Sequence, residues 1–217
     1  MRIELDHLFV CAAPGAPEAE KFIQFGLLEA PPNQHPGQGT ACRRFALANA
    51  MIELLWVSDP SEAQNQSTRT ALLWERWSAR DSDASPFGIC LRPGNPQEAG
   101  GPPFPAREYR PDYLPGPLVM HIGEAGVKEP MWVYMSFMKQ VEREHWFNEH
   151  LIDIREITSL TLTTTAPLRS AVSQKVLESR ILSARTATSH LLEIEFDGKP
   201  RNERIDFRPD LFILLRL

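Results

Sequence analysis

Cysteine is scarce and unpatterned in this chain. Only three occur, Cys11, Cys42 and Cys90, odd in number, far apart and without a CxxC pair. That excludes a disulfide framework and a thiolate zinc site, and leaves buried free thiols in a reducing compartment. No window comes near the roughly 20 apolar residues of a membrane helix. The opening MRIELDHLFV has no basic stretch followed by an apolar run and a small-residue cleavage site, so no secretory leader is expected and a cytoplasmic location is. Nucleic acid and anionic membranes both call for concentrated Lys and Arg, and the formal net charge is −5, so neither is expected as a partner. There is no GxSxG elbow for a nucleophilic serine. Gly100-Gly101 follows no strand and opens no helix, which excludes a phosphate loop. Repeats and heptads are also missing.

What remains is an ordinary globular composition, 42% hydrophobic and 24% charged over 217 residues, enough for a real core. IELDHLFVCA alternates and is rich in β-formers, predicting a first strand with Leu5, His7 and Phe9 on one face. Pro17 opens a helix over PEAEKFIQFGL, with Gly26 as its stop. NQHPGQGT, Asn33 to Thr40, then reads as a sharp return from helix to sheet, with Gly37 and Gly39 in conformations other residues avoid. ACRRFALA and MIELLWV are strands parted by Asn49-Ala50, TRTALLWERWSAR is a helix, and SPFGICLRP is a short buried strand. Residues 93–117 are crowded with Pro and Gly and predict little regular structure, either a lid or a loop latched to the sheet. LVMHIGEA and PMWVYMSF read as strands and VEREHWFNEHL as a helix. The last third returns to the opening order, with a strand at ITSLTLTTT, a helix at PLRSAVSQKVLES and strands at ILSARTA, HLLEIEFDG, ERIDF and LFILLRL.

DHLFV in the first strand, a helix ending in FGL, then HPGQGT and IELLWV, resemble the vicinal-oxygen-chelate superfamily. HPGQGT with the later YLPGPL and EPMWVY resembles its glyoxalase-like domain proteins. The resemblance is strongest over residues 3–92 and continues over 155–217. It implies an α+β fold in which paired β-α-β-β-β modules form an open, curved-sheet cup. On that pattern 1–217 is a single glyoxalase-like domain, with an N-terminal module at 1–92, an irregular crossing segment at 93–154 and a C-terminal module at 155–217.

Members with a metal hold one divalent ion through His, Glu or Gln on strands of both modules, and adjacent substrate oxygens complete its shell. Carried over, His7 and Glu53 match two ligand positions and no residue matches the other two. Two readings therefore stay open. In one, His7 and Glu53 belong to a metal site and the chain is a lyase, isomerase or dioxygenase acting on a small carbonyl- or carboxylate-bearing molecule. In the other, they line a metal-free pocket, where such a pair still does acid–base work, or where the protein only binds and sequesters a small molecule. The bland alternative for His7 is a histidine hydrogen-bonded within the sheet. Arg107, Tyr109, Arg110 and Tyr113 on the Pro-rich segment are candidates to bind a carboxylate, since Arg pairs with one in two places. His35, Trp56 and His121 are candidates to line the cup. Glu144, His145, Glu149 and His150 crowd one helix and read as a solvated face. Cups of this fold are often completed by a partner chain, so a homodimer is a further expectation.

Overall fold

The alternation in IELDHLFVC yields a nine-residue strand, and both of its edges are paired, which makes it the centre of the larger of two sheets. A computed structural model describes residues 2–95, 97, 100–138, 150–198 and 203–217. The chain runs β1 (Ile3–Cys11), α1 (Ala19–Phe25), β2 (Glu29–His35), β3 (Thr40–Ala46), β4 (Met51–Val57), α2 (Pro60–Ala63), α3 (Leu73–Ser78), β5 (Phe87–Pro93), β6 (Ala106–Tyr109), β7 (Met120–Gly123) and β8 (Met131–Tyr134). It continues as β9 (Ile157–Thr164), α4 (Ala171–Glu178), β10 (Ser183–Thr186), β11 (Leu191–Phe196), β12 (Arg204–Asp206) and β13 (Ile213–Arg216). This is a mixed α+β fold of two open sheets, eight strands in the order β2-β3-β4-β1-β5-β8-β7-β6 and five in the order β10-β9-β11-β13-β12. The helix expected at VEREHWFNEHL, with Glu144, His145 and Glu149, lies outside the described residues up to His150.

The pairing departs from the expected division of the chain. β1 lies parallel to β4 on one side and antiparallel to β5 on the other, and β5 lies parallel to β8. β5 to β8 thus take the place expected for the strands of 155–217, which form the five-stranded sheet instead. The reason is edge availability. β5 is buried along its whole length and occupies the second edge of β1, so later strands find that seam closed. They bury their apolar face against the back of the large sheet. Leu8, Val10, Ile52, Leu54 and Ile89 of the first sheet share one core with Leu160, Leu162, Ile194, Phe196 and Leu215 of the second.

Two expected loops are strands. PPNQH belongs to β2, so HPGQGT is a hairpin turn between β2 and β3 and not a return from helix to sheet. Gly37 and Gly39 do adopt left-handed φ of 79° and 71°, and a Cβ on Gly39 would sit 2.2 Å from the Asp59 carbonyl oxygen. AREY in the Pro-rich segment pairs with β7 as β6. The helix expected over TRTALLWERWSAR is broken at Leu72, whose φ is 56°. The break aims Leu73 into the site below and Arg76 at the carbonyls of Val127 and Glu129.

Candidate functional site

The face of the large sheet turned away from the five-stranded sheet carries a second, smaller apolar cluster that includes Phe9, Leu55, Met120, Ile122, Met131, Val133 and Met135. Set into it is a pocket of about 210 Å³. His7, Glu53 and Cys90 line it from the three central strands, and Asn33, His35, Gln38, Tyr109 and Tyr113 line it from the surrounding turns and strands. The rest of the wall is apolar, with Met120, Met131, Met135 and Met138 prominent. Thioether side chains fill irregular space and readjust to what they contact, so the pocket has one polar end and one adaptable apolar end.

A bulge places the key residue. The pairing of β1 with β5 slips between Leu5 and His7, so Asp6 is an extra residue and the alternation restarts. Leu5 therefore turns to the inter-sheet core, contrary to the expectation that it shares a face with His7, while His7 and Phe9 face the pocket. Asp6, buried at the bulge, accepts a 2.7 Å hydrogen bond from His7 Nδ1. Arg92 Nε approaches the other Asp6 oxygen at 3.6 Å. The His7 ring keeps 20% of its side-chain surface, and that surface faces the pocket. Burial alone lowers its pKa, but Glu53 and the bond to Asp6 oppose it, and His7 is held well above 6.5. Its protonated form is therefore favoured.

His35 is the opposite case. Burial lowers its pKa, with Glu53 opposing and His7 adding to the fall. Its Nε2 lies 3.0 Å from Asn33 Nδ2 and its Nδ1 2.9 Å from Thr40 Oγ1. In a neutral ring the amide donates to Nε2 and Nδ1–H donates to the hydroxyl. Gln38 Nε2 donates to the same Thr40 oxygen at 2.7 Å, and Tyr109 O–H donates to Gln38 Oε1 at 2.9 Å. The HPGQGT turn is thus tied through Gln38 to the far side of the pocket, where Tyr113 leans on the His35 ring at 4.8 Å between centroids. Burial raises the phenol pKa of both tyrosines, so they remain neutral hydroxyls.

Of the residues singled out in the sequence, His7, Glu53, His35, Tyr109 and Tyr113 meet in this pocket. Trp56 does not. It follows Leu55 on β4, and alternation turns it to the inter-sheet core. His121 lies between the pocket residues Met120 and Ile122 and so faces away, 6.5 Å from the Tyr134 ring. Arg107 donates to the Thr70 carbonyl, and exposed Arg110 pairs with Glu108 at 2.9 Å, so neither guanidinium lines the pocket. His150 lies outside it too, with Nε2 2.9 Å from the Ala46 carbonyl. Sequence reasoning missed Asp6 as the partner of His7, and also Gln38 and Cys90. The antiparallel register that sets Cys90 opposite His7 is a tertiary fact.

The donor set does not fit the divalent metal that the resemblance implies. Such an ion needs imidazole and carboxylate donors from both sides of the seam. Here the β8 and β7 side offers Met131, Val133, Met135, Met120 and Ile122, so among the described residues no imidazole or carboxylate faces His7 and Glu53 from across the seam. Among the described residues, no group of three or more His, Cys, Asp or Glu is placed to hold a metal ion. A larger cleft, about 670 Å³, opens between the start of β1 and the five-stranded sheet. It is polar, and its Arg92 is already paired with Glu4 at 2.9 Å, so the smaller pocket is the better site. None of the helices described is long and apolar enough to cross a membrane.

No family model matches this chain, and no curated protein does. Among solved structures it is similar to a hypothetical protein from Staphylococcus aureus, at 14% identity and a TM-score of 0.55 over 99% of both chains. It is also similar to the hypothetical protein BH1468 from Bacillus halodurans C-125, at 12% identity and a TM-score of 0.42 over 66% of this chain and 100% of that one. The first likeness spans both whole chains and shows a shared fold at an identity too low to carry function, which must be argued from the pocket itself.

Proposed function

We propose that this is a glyoxalase-like protein of the vicinal-oxygen-chelate type whose pocket binds a small neutral carbonyl compound with an apolar tail and moves a proton at the carbon beside the carbonyl. The strand order supports the fold half of this reading. About the β1·β5 seam the sheet runs β1-β4-β3-β2 one way and β5-β8-β7-β6 the other, with the same parallel and antiparallel pairings. Two halves from one chain already enclose the pocket, so the reading needs no partner copy.

One observation carries the chemistry: His7 and Glu53 converge on one small pocket, and a buried carboxylate fixes the imidazole. An imidazolium beside a carbonyl oxygen acts as the acid, and a carboxylate at the adjacent carbon acts as the base. A carboxylate ligand is disfavoured, because Glu53 and the Asp6 behind His7 already place carboxylates at the polar end, and among the described residues no arginine lines it. The size points the same way. A dry cavity of roughly 150 Å³ holds benzene, and drug-sized ligands occupy about 300 Å³ or more, so 210 Å³ suits a short alkyl or single-ring tail plus its carbonyl.

Hexan-2-one in deuterated water provides the test. Proton NMR is expected to show protein-dependent exchange at the carbons beside the carbonyl, and Glu53→Gln is expected to reduce it by about 10²–10⁴-fold. The Met-rich wall supports a second reading, a non-catalytic sequestering protein, because it supplies affinity without chemistry. Saturable ketone binding with exchange no faster than in buffer would leave that reading alone standing. Absence of binding would remove both.

A further inference from the structure

The acid–base reading leaves one pocket group unused, the thiol of Cys90. β1 and β5 pair so that Cys90 lies directly opposite His7, and both side chains line the pocket. With Asp6 Oδ2 2.7 Å from His7 Nδ1, a carboxylate, an imidazole and a thiol stand in a row whose sulfur end lines the pocket. A thiol set between an imidazolium that can act as acid and a carboxylate that can act as base has the two groups that addition to a carbonyl needs. The other two cysteines are also buried but do not line the pocket. Cys11 faces the apolar cluster, and Cys42 lies against Glu53.

We propose that Cys90 captures an aldehyde in this pocket as a reversible hemithioacetal, an inference that rests on reading the pocket as a site for neutral carbonyl compounds. The electrophile class follows from what surrounds the sulfur. Thiol–disulfide exchange calls for a resolving cysteine in the pocket, and Cys90 has none there. Acyl transfer requires room for a leaving group and for water, which a 210 Å³ pocket filled by the ligand's tail does not supply. Addition to an aldehyde needs neither. Sγ bonds to the carbonyl carbon, and the C=O π pair moves to oxygen. That oxygen takes a proton from His7 Nε2, while the thiol proton passes to Glu53 and from there restores the imidazolium. The sum is thiol plus aldehyde giving hemithioacetal, with nothing oxidised, reduced or released. Burial raises the Cys90 pKa and His7 opposes it, so the resting group is a thiol and the adduct forms with the ligand in place.

The experiment uses hexanal labelled with ¹³C at the carbonyl carbon, with hexan-1-ol as a ligand of the same length that cannot react. Carbon NMR of the whole chain with hexanal is expected to show a stoichiometric hemithioacetal resonance, lost in Cys90→Ala and kept in Cys11→Ala. Because Cys90→Ala carries a risk of misfolding, a second measurement stays on the wild-type chain. There (E)-2-hexenal adds Sγ at C3 and a proton at C2, and peptide mass mapping is expected to locate the stable thioether on Cys90. Hexan-1-ol binding with hexanal present only as free or bound aldehyde would overturn the Cys90 assignment and leave the pocket reading intact. An adduct that persists in Cys90→Ala, or maps to another residue, would also overturn it. If neither hexanol nor hexanal binds, the pocket reading fails and the inference with it.

Discussion

Asp6→Asn perturbs the charge of the site and leaves its shape. The amide is nearly isosteric, and its Oδ1 still accepts the His7 Nδ1–H that Asp6 now accepts at 2.7 Å. What disappears is one of the negative charges that offset burial of the imidazolium. A carboxylate in contact with an imidazole favours its charged form, so His7 is expected to titrate lower in the variant, and a hydrogen bond between charged groups is worth up to about 3 kcal/mol. The sign follows from linkage. The folded pKa of His7 lies above its ordinary 6.5, so its charge stabilises the fold fully below 6.5, and the contribution fades as pH rises through the folded value. Asp6→Asn therefore loses most in neutral and mildly acidic solution, by up to about 6–12 °C in unfolding midpoint for a chain of this size. The two proteins converge once His7 is neutral in both. Arg92 is not stranded by the change, because it keeps Glu4 at 2.9 Å. Histidine ring NMR titration, with His7 assigned through His7→Gln, and thermal unfolding across pH are the assays. A His7 titration unmoved by Asp6→Asn would refute the reasoning, as would a midpoint difference that stays constant into alkaline solution.

Three other outcomes are expected. Tyr109→Phe removes the 2.9 Å bond to Gln38 and leaves the amide oxygen buried and unpaired, so urea unfolding should show a loss of about 1–3 kcal/mol; an unchanged midpoint would mean the turn is not tied across the pocket. A Cβ on Gly88 would lie 1.9 Å from the Phe9 ring, so Gly88→Ala is expected to push that ring into the pocket, at a cost of about 1–3 kcal/mol and with weakened hexan-1-ol binding by calorimetry. Glu129 accepts from the Arg169 and Ser170 amides at 3.0 Å and from the Ser170 and Ser173 hydroxyls, holding the start of α4 to the large sheet. Burial raises its pKa, but those bonds outweigh it and hold it below 4.5, so this stability is present above 4.5 and lost as pH falls through the folded value. Glu129→Ala should cost about 2–4 kcal/mol near neutrality, and the cost should shrink in acid on calorimetric scans.

Legibility in the sequence followed the range of the physics. Positions whose role depends on a residue's own neighbours were readable: the alternation of β1, the stop at Gly26, the left-handed glycines of HPGQGT and the burial of three free thiols. His7 and Glu53 were readable because each lies on a strand whose apolar neighbours mark out its faces. Strands at PPNQH and AREY were hidden, since Pro weakens local β preference and only an edge position with a waiting partner makes them strands. Trp56 and His121 looked like pocket residues because type suggests function, while the face a side chain takes depends on strand register.

The sequence by itself determined where most strands and helices lie, that the apolar faces are large enough for one core, and that an imidazole and a carboxylate sit on strands of the first half. The tertiary structure alone decided which strands share a sheet, and so which half encloses the pocket. Hydrogen bonds between strands are indifferent to side-chain identity, and several strands of this chain offer β1 an equally apolar face. The bulge at Asp6 and the register of β5 then decided the chemistry of the site. A shift of one residue in either would turn His7 or Cys90 to the opposite face of the sheet.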